Sequence, residues 1–188
     1  MRLLSTGLLA LAAASAARAE PVIYVLDPQH SFVHFEVLHF GTSTLRGRFG
    51  PIDGYVEMDR VAGRGSVALR IATASVDTGM PMFDARLRQP DLLASEAYPM
   101  ADFASAQFRF EGSELKRVNG ELTLRDSRQG LELRALRFGC HTHPTLQREV
   151  CGGDFEGEIK RGDFGASFGM PFVANRVRLR VQVEGIRQ

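Results

Sequence analysis

Cys140, His141, His143 and Cys151 gather four possible metal or redox ligands into one short stretch of the chain. Zinc takes cysteine and histidine in sets of this kind. Cys140, His141 and His143 are crowded more tightly than zinc-finger spacing, in which a long loop separates the ligand pairs. Two cysteines close in sequence also read as a disulfide when a protein is exported, and Cys140–Cys151 is the pairing expected here. Closing a loop of this length adds roughly 3 kcal/mol of stability. Metal binding or redox chemistry through Cys140, His141, His143 and Cys151 stands as the alternative.

Other residues suggest chemistry and lose it on inspection. His30 and Ser31 are neighbours, but a nucleophilic serine needs contact with its histidine and an orienting acid. Adjacent strand residues point to opposite faces. His30 and His39 are candidate mouth residues at opposite ends of one strand, roughly 30 Å apart, so they cannot share a small site. Asp163-Phe164-Gly165 matches a kinase triplet without the accompanying phosphate loop. Gly41, Gly47 and Gly50 lack a following Gly-Lys-Ser/Thr and read as a turn or mouth loop. Asp84, Arg86 and Arg88 read as solvated, although an arginine at a cavity mouth can meet a phosphate. No enzyme and no cofactor are expected.

The elements that position these residues are strands. Val33, Phe35, Val37 and His39 share one parity, with His34 and Glu36 on the other. Val67, Leu69 and Ile71 alternate with Ser66, Ala68 and Arg70, and Leu131, Leu133 and Ala135 alternate with Glu132 and Arg134. Val177, Leu179, Val181 and Val183 face one way, and Arg176, Arg178, Arg180, Gln182 and Glu184 the other. Period two with one apolar face is the mark of half-buried strands. Asp53-Gly54, Gly63-Arg64-Gly65, Asn119-Gly120 and Gly152-Gly153 are the expected turns, with Asn119-Gly120 the best type I′ candidate. About eight to ten strands follow, with one short helical segment near Met82 to Leu93, limited by Pro90 and stopped by Pro99. Such strands close into a barrel or pack as a sandwich, and periodicity does not choose between them.

The first nineteen residues carry Arg2, an apolar run from Leu3 to Ala14, and the small-x-small triplet Ala17-Arg18-Ala19. These are the parts of a secretory signal peptide, with cleavage expected after Ala19. The run is shorter than the ~20 apolar residues a membrane span needs. The domain boundaries are therefore 1–19 for the signal and 20–188 for one folded domain. The full chain has 23 Lys+Arg against 22 Asp+Glu, and without Arg2 and Arg18 the balance becomes slightly acidic. A near-neutral chain argues against a nucleic-acid partner.

The ordered residues resemble a known family. Tyr24-x-x-Asp27-x-x-His30-Ser31-x-Val33-x-Phe35-x-Val37-x-His39, then Gly47-x-Phe49, resembles the opening of the YceI-like family. Ser75-Val76-x-Thr78-Gly79, Leu87, Tyr98-Pro99 with Phe103-x-Ser105, Gly120-x-Leu122-Thr123-Leu124 and Ile159-x-Arg161-x-Asp163-Phe164-Gly165 follow in the family's order. One stretch departs: Asp126-Ser127-Arg128-Gln129-Gly130 stands where the family has a Gly-x-Thr turn, and Asp and Gly still suit a turn there. The Cys140 to Cys151 stretch looks like a subgroup feature. The resemblance implies an all-β, antiparallel, lipocalin-like barrel of about eight strands in the periplasm. It implies a polyisoprenoid or similar long-chain lipid in an internal tunnel, and contact with a membrane or a membrane cytochrome in some relatives. Inward parity then nominates Val33, Phe35, Val37, Val56 and Leu69 as tunnel wall, with His39 at the mouth.

Overall fold

A computed structural model describes residues 20–188 of the chain, so the signal sequence expected at 1–19 lies outside the described residues. Ten strands alternate along the chain: β1 (Val22–Leu26), β2 (Phe32–His39), β3 (Ser43–Phe49), β4 (Ile52–Asp59), β5 (Arg64–Ala72), β6 (Met100–Glu111), β7 (Glu114–Leu124), β8 (Ser127–Thr142), β9 (Glu149–Lys160) and β10 (Val173–Arg187). One α-helix, α1 (Pro81–Leu87), lies between β5 and β6.

The strands form one antiparallel sheet in the order β1-β4-β5-β6-β7-β8-β9-β10-β2-β3. A further pairing of β1 with β10 closes eight of them into a ring. The long β10 makes this closure possible. It pairs with β2 from Val173 to Gln182 and with β1 from Gly185 to Arg187. Closure removes the unpaired edges that an open sheet exposes, and it settles the choice between barrel and sandwich. Beyond the β1/β2 junction the β2–β3 hairpin extends the wall. There β3 meets the segment that follows β5, through reciprocal backbone bonds of 2.9 Å between Arg48 and Asp77.

The alternating residues fall as their parity requires. Val177, Leu179 and Val181 are buried inside. Arg176, Arg178 and Arg180 stand outside and pair with Glu158, Glu36 and Glu156. The outer face is thus a lattice of exposed ion pairs, each worth little alone.

Three of the expected turns are not turns. Gly54 lies within β4, Asn119-Gly120 within β7 and Gly152-Gly153 within β9. The reason is close backbone approach. A Cβ on Gly54, which has φ +150, would sit 2.2 Å from the Ala68 carbonyl, and one on Gly153 would sit 2.1 Å from the Arg137 carbonyl. A Cβ on Gly120 would strike the Phe103 ring at 2.5 Å. Glycine in a strand interior commonly marks such crowding. The β7–β8 connection is instead made by Arg125 and Asp126, at φ 51 and 59, the both-positive signature of a type I′ hairpin. Gly130 belongs to β8. Of the expected turns, Gly63 does lie in one, between β4 and β5.

The helix is shorter than the Met82 to Leu93 expected. It starts with Pro81 in its first turn, where the missing N–H costs nothing. It ends at Leu87, and the chain then folds back through bonds such as Leu93 N–H to the Leu87 carbonyl, 3.0 Å. Asp84, expected in solvent, is buried. Its carboxylate accepts from the Thr78 N–H at 2.8 Å and hydroxyl at 2.6 Å, which fixes the turn before the helix. Arg86 and Arg88 are also engaged: Arg86 is bidentate to Asp91, and Arg88 donates to the Ala74 and Val76 carbonyls.

Candidate functional site

The barrel is not filled by its own side chains. A cavity of about 330 Å³ occupies the half walled by β2, β3, α1 and the ends of β9 and β10. A second space of about 70 Å³ lies toward the opposite end. Leu69, Phe103, Leu133 and Val181 border both, so these four side chains form the partition between them. The larger volume falls in the ~300–1,000 Å³ range of pockets that hold small molecules.

Val33, Phe35, Val37, His39 and Leu69 all line the larger cavity. Val56 does not; it lines the smaller space below the partition, because β4 belongs to the opposite half of the wall. Parity alone did not nominate several further wall residues, among them Leu131, Val177 and Leu179. Their shared inward face was visible in the alternation, but their height along the barrel was not. Phe83, Arg86 and Leu87 also line it, from α1. Their i, i+3, i+4 spacing is a helical-face signal that a strand-period reading passes over.

The mouth lies among α1, the β2–β3 turn and the loop before β10. Phe168 from that loop lines the cavity and is 54% exposed, so the wall meets solvent there. Phe40 and Phe172, 59% and 62% exposed, stack at 5.3 Å beside it, and the His39 ring meets Phe40 edge-on at 4.6 Å. Phe168 lies under the Arg86 guanidinium at 4.0 Å. The loop contains Gly165-Ala166-Ser167-Phe168-Gly169, which has the Gly-x-Ser-x-Gly spacing of a hydrolase elbow. An elbow needs a strand-to-helix turn, whereas Ser167 is exposed in a turn that leads from a 3-10 helix into a strand.

The far end carries a cluster of polar groups. The Tyr24 hydroxyl donates to Glu149 at 2.5 Å, and Arg60 donates to the same carboxylate at 2.8 Å. Burial and the Glu149 carboxylate push the Tyr24 phenol up to about 12. Cys140 and Cys151, paired across β8 and β9, are joined by an S–S bond beside this cluster. The bond engages both sulfurs, and the His143 ring is turned to accept from the Thr145 and Leu146 N–H groups. The four-ligand cluster considered from sequence is therefore not assembled.

His30 is not a mouth residue. It sits at the β1–β2 junction, where Nδ1 meets the Asp27 carboxylate at 2.6 Å. Asp27, His30 and Glu184 bring ligand atoms within 4.8 Å of one another, a grouping common on protein surfaces without an ion. Ser31 is buried and its hydroxyl donates to the Glu184 carbonyl at 3.3 Å, a structural role. The bond to Asp27 raises the His30 pKa above its ordinary value, and the bond from His30 lowers that of Asp27. Stability from His30 is full below the ordinary imidazole pKa and fades as pH rises through its raised folded value. Stability from Asp27 is full above the ordinary carboxylate pKa and fades as pH falls through its lowered folded value. The pair thus contributes most between about pH 4 and 6.5. Urea midpoints of the parent and His30→Gln are expected to differ most in that window and to converge at alkaline pH. A difference that stays constant with pH would contradict this assignment.

A closed antiparallel barrel with one large apolar cavity is a lipocalin-like barrel of the small-molecule-binding type. The comparisons agree on which one. The model of the YceI-like domain matches residues 24–185, and the chain belongs to the YceI-like family. It is 34% identical over 177 residues to Protein YceI of Escherichia coli O157:H7, covering 93% of this chain and 92% of the relative. Protein YceI of Salmonella arizonae is 33% identical over 163 residues, 86% and 84% of the two chains. Among solved structures, Burkholderia cenocepacia BcnA superposes with a TM-score of 0.68 at 22% identity, over 85% of this chain and 98% of its own. A polyisoprenoid binding domain from Saccharophagus degradans gives 0.61 at 18% identity, over 88% and 98%. At these identities the structural likeness speaks to the fold.

Proposed function

We propose that this chain is an exported, periplasmic carrier of a long-chain apolar lipid, a polyisoprenoid or similar molecule, held in the larger cavity. It acts by binding and not by catalysis. The observation that carries the reading is the 330 Å³ cavity behind a wall of apolar side chains. Each Å² of tail removed from water contributes about 25 cal/mol. A tail burying roughly 500 Å² then yields about 12 kcal/mol gross, against association costs of about 4–15 kcal/mol. The S. degradans domain supports the reading by its printed polyisoprenoid binding. The Cys140–Cys151 bond suits an oxidising compartment such as the periplasm. The exposed Phe40, Phe168 and Phe172 at the mouth suit transient contact with a membrane, from which an insoluble lipid must come.

Mass spectrometry of organic extracts from natively purified protein tests the proposal. A defined long-chain molecule at about one per chain is expected. Extracts that stay empty across several preparations would end it.

The partition gives a second expectation. Phe103→Ala should merge the two spaces and shift the bound population toward longer tails. It should also cost about 3–5 kcal/mol of stability, as truncation of a buried phenylalanine does. An unchanged tail-length profile in the extracts would mean that Phe103 does not limit depth.

A further inference from the structure

The charged side chains that line the larger cavity are arginines. The side chains with nitrogen or oxygen that line it are His39, Thr73, Arg86 and Arg161, and no carboxylate is among them. The Thr73 hydroxyl is occupied by the Tyr98 carbonyl at 2.7 Å. Arg86 is neutralised by its two 2.7 Å bonds to Asp91.

Arg161 is different. It is 8% exposed, and no carboxylate among the described residues acts on it. Its nitrogens donate to main-chain carbonyls: Nε to Ala174 at 2.9 Å, Nη1 to Ala166 at 2.6 Å and Phe168 at 2.9 Å, and Nη2 to Val173 at 2.8 Å. Carbonyl dipoles hold the guanidinium but do not cancel its charge, and buried charges are otherwise found paired. One N–H on Nη2 is left over once these bonds are made. The four carbonyls all belong to the mouth loop and the start of β10, so the charge sits at the mouth and not at the floor. Arg86 and His39 adjoin it. Phe168, whose carbonyl Arg161 holds, stacks on Arg86, and Val173, whose carbonyl it also holds, pairs with His39 across the sheet.

We propose that Arg161 forms a head-group subsite for an anionic amphiphile, flanked by the ion-paired Arg86 and the His39 ring. The carboxylate or phosphate of such a molecule meets the guanidinium at the mouth while its apolar tail runs toward the Phe103 partition. This rests on the carrier reading and adds the charge of the cargo. The observation behind it is a buried cation lacking a counter-ion in a cavity otherwise built for hydrocarbon.

The test uses delipidated full mature protein and two matched probe pairs in calorimetry at about pH 8, where both acids are ionised. The pairs are geranylgeranyl monophosphate against geranylgeraniol, and palmitate against hexadecanol. Each anion is expected to bind about tenfold or more tighter than its alcohol, as hydrogen bonds to a charged group allow. The larger of the two preferences names phosphate or carboxylate as the preferred head. Arg161→Gln is expected to erase the difference while keeping alcohol binding. A purely structural Arg161 would instead weaken acid and alcohol alike. Equal affinities within both pairs for the parent protein overturn the subsite, and that measurement decides even if the variant does not fold. Binding of none of the four probes overturns the carrier reading itself.

Discussion

Val177→Trp is expected to abolish uptake of long-chain lipid, by 100-fold or more in affinity, in a barrel that remains folded. Val177 is buried on β10, faces Val37 on β2 and Ile159 on β9, and lines the larger cavity. Enlarging a side chain in a packed core forces rotamers and backbone apart, typically at ~1–3 kcal/mol. Here the added ring has a void to enter, so the cost is offset by new apolar contact. The ring takes the space that the tail would fill, and an affinity built on buried area falls with it. The chain contains no tryptophan, so the substitution also introduces a single fluorophore into the cavity. A blue-shifted emission that does not respond to added lipid, with an unchanged thermal midpoint, is the expected pair of readings. Full lipid content in the purified variant would place the ligand elsewhere.

Replacing both cysteines, Cys140→Ala with Cys151→Ala, is expected to lower stability by roughly 3 kcal/mol. For a domain of this size that corresponds to a fall of about 6–12 °C in Tm. The bond closes a short loop, with a sequence separation of 11, so its main action is to restrict the unfolded chain. Lipid affinity of the folded variant should stay within about twofold. Cys151 borders the smaller space only, and the partition lies between it and the larger cavity. Denaturation followed with and without a thiol reductant reads the first effect, and calorimetry with one lipid probe reads the second. Loss of binding in a folded variant would show that the two ends of the barrel are coupled.

The faces of the strands were legible because the side-chain period of a strand is fixed by backbone geometry. Val33, Phe35 and Val37 face inward for the same reason that Arg176, Arg178 and Arg180 face outward. Glycines were misread because two different demands use the same residue. Gly63 answers a turn, while Gly54 and Gly153 answer a neighbouring carbonyl about 2 Å from where a Cβ would be. That neighbour is remote in sequence, so nothing local reveals it. In the sequence Arg161 reads as part of an ordered motif and not as a site. Its meaning depends on carbonyls from residues 166 to 174 that wrap it only when the loop is folded.

Sequence by itself determined which residues turn from water, and, through resemblance, the family whose ordered motifs this chain carries. Tertiary structure decided that the ring closes through β10, that its interior stays hollow above Phe103, and that a lone cation sits at the opening. Alternation is a property of each strand separately. Emptiness depends on how the summed volumes of inward side chains compare with the space that eight strands enclose, and only the assembled barrel fixes that space.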